Sequence, residues 1–191
     1  MTAGRIAETV NEDAGAIEVL KAQHNQIKAL FGAVESASGE VRQREFDHLR
    51  ALLAVHETAE EEVLRPVTRS AVNNGEAIAD SRIHEENEAK EVLANLEKMG
   101  VDSPEFLPKF LEFKESVLEH ATHEEEQEFP GVQQAKTHDE LVEMAKRIKI
   151  AERMAPTHPH PSAKTTEANY LMGPFDAMLD RVRDRMKSKR S

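Results

Sequence analysis

Two stretches of the chain carry the same set of ligand-type side chains at the same spacing. Residues 56–66 read HETAEEEVLRP and residues 120–130 read HATHEEEQEFP, so His56 matches His120, Glu60 matches Glu124 and Pro66 matches Pro130. On a helix, positions i and i+4 lie one above the other on the same face. Each pair therefore aims an imidazole and a carboxylate at one point. Two such pairs on facing helices make a box for a metal ion. A charge run is more often a solvated helix face, but the apolar seams argue against that here. The first runs Phe46, Leu49, Leu53, His56, Glu60, Val63, Val67, and the second Phe106, Phe110, Phe113, Val117, His120, Glu124. Both step by threes and fours, as a core-facing stripe does. A buried carboxylate is costly unless paired or metal-bound, and here the same costly insertion is made twice.

The elements that must position these pairs are helices. Strand-like alternation is absent, and Ala, Glu, Lys and Leu dominate a chain of 191 residues with 4% aromatics. The first predicted helix runs from an Asp13 cap to about Ser36 and carries His24 in its seam. The second runs from about Val41 to Pro66, which is expected to end or kink it. The third spans about Glu76 to Met99, with an apolar arc of Ile78, Ala89, Val92, Leu96 and Met99 and with His84 at its edge. Ser103 and Pro104 mark the start of the fourth, and Thr137 to Glu140 reads as a capping box for a short helix to about Arg153. Short connections predict an up-down-up-down bundle. From the turn near Val101, His84 lies 17 residues back and His120 lies 19 ahead, a depth mismatch of only ~3 Å at the helical rise. Around the first turn, near Ser38, the mismatch between His24 and His56 is ~6 Å.

Composition narrows the function classes. With 25 Lys and Arg against 36 Asp and Glu the net charge is -11, which disfavours nucleic acid and anionic membrane as partners. The absence of Cys excludes disulfides, zinc–thiolate sites, iron–sulfur clusters and thiol catalysis. No run approaches ~18 apolar residues, and the first residues lack the pattern of a secretory signal. The expectation is a soluble cytoplasmic protein. Residues 1–12 are expected to be frayed. Residues 153–173 hold the Pro- and His-containing stretch APTHPHPSAK and read as a linker, and residues 174–188 read as a closing amphipathic helix.

His on helix one, His-x-x-x-Glu on helix two, His on helix three and His-x-x-x-Glu on helix four resemble the hemerythrin-like, HHE cation-binding family over about residues 13–152. The Pro/His stretch and the GPFDAMLDRV segment, similar to tails of bacterial members, extend the likeness to nearly the whole chain. The resemblance implies a four-helix bundle holding two iron ions, bridged by an oxo or hydroxo group. His24, His56, His84 and His120 would be terminal ligands, and Glu60 and Glu124 would bridge. Glu57, Glu61, Glu85 and Glu125 would accept the far N–H of the imidazoles. Glu57, Glu61, Glu88 and His123 remain open as further ligands. The pattern departs from the oxygen-carrying hemerythrins of invertebrates, which are richer in histidine. Fewer imidazoles and more carboxylates favour ferric iron and shift the expected chemistry from reversible oxygen carriage towards peroxide or nitric oxide chemistry or towards iron and oxygen sensing. The expected function is binding or processing of a small oxygen or nitrogen species, O2, hydrogen peroxide or nitric oxide. The alternative is an iron- or oxygen-sensing or iron-storage module without turnover, reporting through the C-terminal helix to an unidentified protein partner.

Overall fold

The computed structural model describes residues 13–154; the expected frayed start, the expected linker beyond its first two residues and the closing helix lie outside the described residues, and those first two, 153 and 154, end a helix instead. Helix α1 spans Ala16–Ser36, α2 Gly39–Ala59, α3 Arg65–Ala71, α4 Gly75–Met99, α5 Phe106–His123, α6 Phe129–Ala135 and α7 His138–Met154. The described residues contain no strand. Tight connections at Ala37–Ser38, Val72–Asn74 and 100–105 reverse the chain three times. The result is an up-down-up-down bundle of α1, α2 with α3, α4, and α5 with α6. Helix α7 then packs on α1 and α2. Asn74 takes the left-handed conformation at the second reversal (φ 57°), as the Asn-Asn-Gly sequence predicts. There α4 starts so close to α3 that a Cβ on Gly75 would meet the Thr68 carbonyl oxygen at 1.9 Å.

The proline of each repeated motif does not end its helix. Over Glu60–Leu64 and again over Glu124–Glu128 one turn widens, and the N–H of Arg65 bonds Glu60 O while that of Phe129 bonds Glu124 O, five residues back. Proline removes a donor and crowds the carbonyl four residues earlier. A single widened turn just before it relieves that crowding and lets the helix continue. The widening also changes the register. On a regular helix Arg65 would lie about 140° round from Glu60; across the wider turn it returns to the same inner face.

Two apolar clusters fill the bundle. One gathers Phe31, Phe46, Phe106, Phe110 and Phe113 with Leu49, Leu93 and Leu96. Its rings meet edge-on in Phe46–Phe106 at 5.2 Å, tilted in Phe31–Phe110 at 5.3 Å and stacked in Phe106–Phe110 at 5.4 Å. The other joins Ile17, Leu20, Leu64, Phe129 and Val132 to Leu141, Met144 and Ile148 of α7. Along α1 the residue between Leu20 and Ile27 on the inner face is His24, along α2 His56 follows Leu53, and along α5 His120 follows Val117. The repeated motifs thus form a polar layer between the two clusters.

Candidate metal centre

Within this layer two groups of four donors form, each with its ligand atoms within 4.8 Å of one another. One is His24, His56, Glu60 and Glu124; the other is Glu60, Glu86, His120 and Glu124. Glu60 and Glu124 belong to both. In the first group His24 Nε2 lies 3.1 Å from His56 Nε2 and 3.2 Å from Glu124 Oε2, and His56 Nε2 lies 3.5 Å from Glu60 Oε1. In the second, His120 Nε2 lies 3.2 Å from Glu124 Oε1. Glu124 therefore presents one oxygen to each group. Both shared carboxylates are fully buried.

The three inner histidines are held from behind. The far nitrogen, Nδ1, pairs with Glu125 in His24 (2.8 Å), with the Gln23 side-chain oxygen in His56 (2.7 Å) and with Glu85 in His120 (2.7 Å). A Gln oxygen or a carboxylate accepts, so Nδ1 donates, and in neutral His56 the Nε2 lone pair is left facing the centre. Glu124 and Glu85 raise His120 well above the usual histidine range despite its burial, so its Nε2 must give up a proton before it can hold a metal. Glu85 and Glu125 thus take the backing role expected of them. Glu57 and Glu61 do not: both turn to the buried ammonium of Lys90, Glu61 at 2.7 Å and Glu57 at 3.7 Å. Burial pushes their carboxyls up, to about 8 for Glu57 and about 7 for Glu61, against the pull of Lys90. The backing of His56 instead comes from Gln23, which also donates to Glu152 of α7.

His84 does not join the centre. It is 74% exposed and faces Glu88 at 3.5 Å on the outer surface. Glu86, two residues on and about 200° round the helix, points inward and is 2% exposed. The arc of apolar residues misplaces the inner face of α4 because that face is largely charged: Arg82, Glu86 and Lys90 are buried on it, while Val92 is 38% exposed. His123 is half-buried and pairs with Glu85 at 3.2 Å. Arg65 is another inner residue that the seams do not reveal. Its guanidinium is 1% exposed and reaches Glu60 (3.4 Å), Glu86 (2.6 Å), Glu124 and Glu128 (2.5 Å).

Charge in the layer is tightly coupled. Burial and the neighbouring His24 hold His56 well below the usual histidine range, so it is neutral, as a metal ligand must be. Burial and the facing Glu124 raise Glu60, whereas Glu124 is held down, because His120 and Arg65 outweigh its own burial. Even so, three carboxylate oxygens make no hydrogen bond: Glu60 Oε1, Glu86 Oε2 and Glu124 Oε2. Orphaned buried acceptors are costly in a finished core. These three, with three Nε2 atoms, form an N/O donor set suited to a cation. The residues present therefore fit metal binding. A cavity of about 880 Å3 reaches His24, His56, Glu86 and His120 from between α1, α2, α4 and α5.

Comparison with known proteins agrees with this geometry. Residues 15–132 match the model of the hemerythrin HHE cation-binding domain. An uncharacterised hemerythrin-like protein of Schizosaccharomyces pombe is 30% identical over 137 residues, 71% of this chain and 68% of that one. A DNA nickase of Nostoc sp. is 25% identical over 141 residues, 73% of this chain but only 40% of the nickase. A crystal structure of a hemerythrin HHE cation-binding domain-containing protein from Mycobacterium kansasii superposes with a TM-score of 0.65 at 24% identity, covering 73% of this chain and 86% of the other. Its fold is the one described above. With a family match over more than half its length, the chain belongs to the hemerythrin HHE cation-binding domain family.

Proposed function

We propose that the chain is a cytoplasmic non-heme di-iron protein that binds or processes a small oxygen or nitrogen species, namely O2, hydrogen peroxide or nitric oxide. The observation that carries this reading is the pair of four-donor groups sharing Glu60 and Glu124. His24 and His56 would hold one ion, Glu86 and His120 the other, and the two shared carboxylates would join them. Iron held there would supply a redox change and a coordination position for the small ligand. The chain's own residues supply the rest. Gln23, Glu85 and Glu125 fix the imidazole tautomers. Leu53 and Val117 line the cavity beside the donors and keep its inner wall apolar, which suits uncharged small molecules. Glu85, Glu88, Glu119 and Glu126 make its outer wall acidic, which disfavours anionic substrates.

Iron analysis and an optical spectrum of protein from iron-replete cells test the reading, followed by peroxide consumption and nitric oxide and O2 binding. About two irons per chain, near-ultraviolet charge-transfer absorption and a response to at least one of the three species are expected. Tightly bound zinc alone, or iron that responds to none of the three, would overturn it.

A further inference from the structure

The two repeated motifs differ at one place that matters. Where the second has Glu128-Phe129 before its proline, the first has Leu64-Arg65. Phe129 packs in the apolar cluster and stacks on His24, ring centroids 5.6 Å apart. Arg65, its counterpart, is drawn into the polar layer by the widened turn. Glu128, the counterpart of Leu64, meets it there and also accepts from Thr68. The two charges lie one in each motif, each where the other motif has an apolar residue.

Glu60 and Glu124 belong to both donor groups, so the bias of Arg65 shows in which oxygens it takes. Its Nη2 touches Glu60 Oε2, Glu86 Oε1 and Glu124 Oε1. The other oxygens of the same three carboxylates are the ones without a hydrogen bond. Of these, Glu60 Oε1 and Glu124 Oε2 face His56 and His24. The carboxylate oxygens turned to His24 and His56 are therefore open, whereas Glu86 Oε1 and Glu124 Oε1, the latter facing His120, are already engaged by a cation, and Glu86 Oε2 is left free.

We infer that Arg65 is a resident counter-cation at the Glu86/His120 position, so that the two metal positions load in order, the His24/His56 position first and the second only as the guanidinium withdraws. The inference rests on the metal-binding reading above. An arginine is suited to the part. It is always charged, offers a planar fork to several carboxylates at once, and keeps four buried acids folded together before metal arrives. Entry of the second ion must break the Nη2 contacts, and one charge-assisted hydrogen bond is typically worth about tenfold or more in affinity.

The test is anaerobic titration of the metal-free full chain with ferrous iron by calorimetry, with melting of the metal-free protein followed by circular dichroism. The wild type should bind in two steps separated by about tenfold or more. The Arg65→Met/Glu128→Gln double variant leaves net charge unchanged and keeps an acceptor for Thr68. It should bring the second step close to the first and lower the melting temperature of the metal-free protein. Glu128→Gln alone frees one anchor of the guanidinium and should also tighten the second step. Simple loss of a negative charge near the site would instead weaken it. This single variant decides the matter if the double variant does not fold. A second step unchanged or weakened in the folded variants would overturn the inference and leave the metal-binding reading standing, as would two equal steps in the wild type. A wild type that takes up no iron would overturn both.

Discussion

At the scale of single residues, the centre is set by small angular differences along each helix. His84 and Glu86 lie two residues apart on α4, yet one is exposed and the other buried against Arg65. His84→Ala should leave metal content unchanged, while Glu86→Ala should remove one ion or weaken the second step; metal analysis after gel filtration separates the two outcomes. The reason the sequence misplaces this helix is physical. Apolar residues reveal an inner face only when that face is apolar, and here Arg82, Glu86 and Lys90 occupy it. His24, His56, Glu60, His120 and Glu124 were legible because each continues a seam of Leu, Val or Phe on its own helix. Arg65 was not, since a regular helical wheel turns it away from Glu60. Gln23 was not either, because a neutral amide beside a seam histidine has no spacing that distinguishes it.

Among the elements, the four bundle helices and the capping box of α7 could be read from the sequence, whereas the widened turns could not. Proline announces an interruption but not its form. The α7 start behaves as its sequence suggests. Thr137 N–H donates to Glu140 at 2.9 Å and Glu140 N–H donates to Thr137 Oγ1 at 3.3 Å. The hydrogen bonds from Thr137 hold the Glu140 carboxyl below its ordinary value of 4.5. A carboxyl whose pKa is depressed by folding adds stability above its unfolded pKa and loses it as pH falls through its folded pKa. Glu140→Ala should therefore lower the melting temperature at pH 7, and the gap to wild type should shrink as pH drops below about 4.5. A gap independent of pH in thermal melts would show that the carboxylate is not the source. This helix matters to the centre because it carries Glu152, the acceptor for the Gln23 amide behind His56.

For the whole molecule, a polar layer between two apolar clusters explains how so many buried acids are tolerated. The aromatic cluster at one end and the α7-capped cluster at the other supply the burial, and the layer between them is reached through one cavity wall. The up-down-up-down order was legible from loop lengths; which end α7 covers was not, since its apolar stripe fits either. The acidic outer wall of the cavity has a kinetic consequence. A negative funnel on a chain of net charge -11 speeds encounter with a cation and has little effect on a neutral molecule, and salt screens it over a Debye length of about 8 Å at physiological ionic strength. In stopped-flow experiments the rate of ferrous uptake should fall steeply as salt is raised, while the approach of hydrogen peroxide or nitric oxide to loaded protein should hardly change. On the reading proposed above, the same entrance would sort its visitors by charge: ionic strength would govern how fast a metal ion arrives, but not how fast a neutral small molecule does.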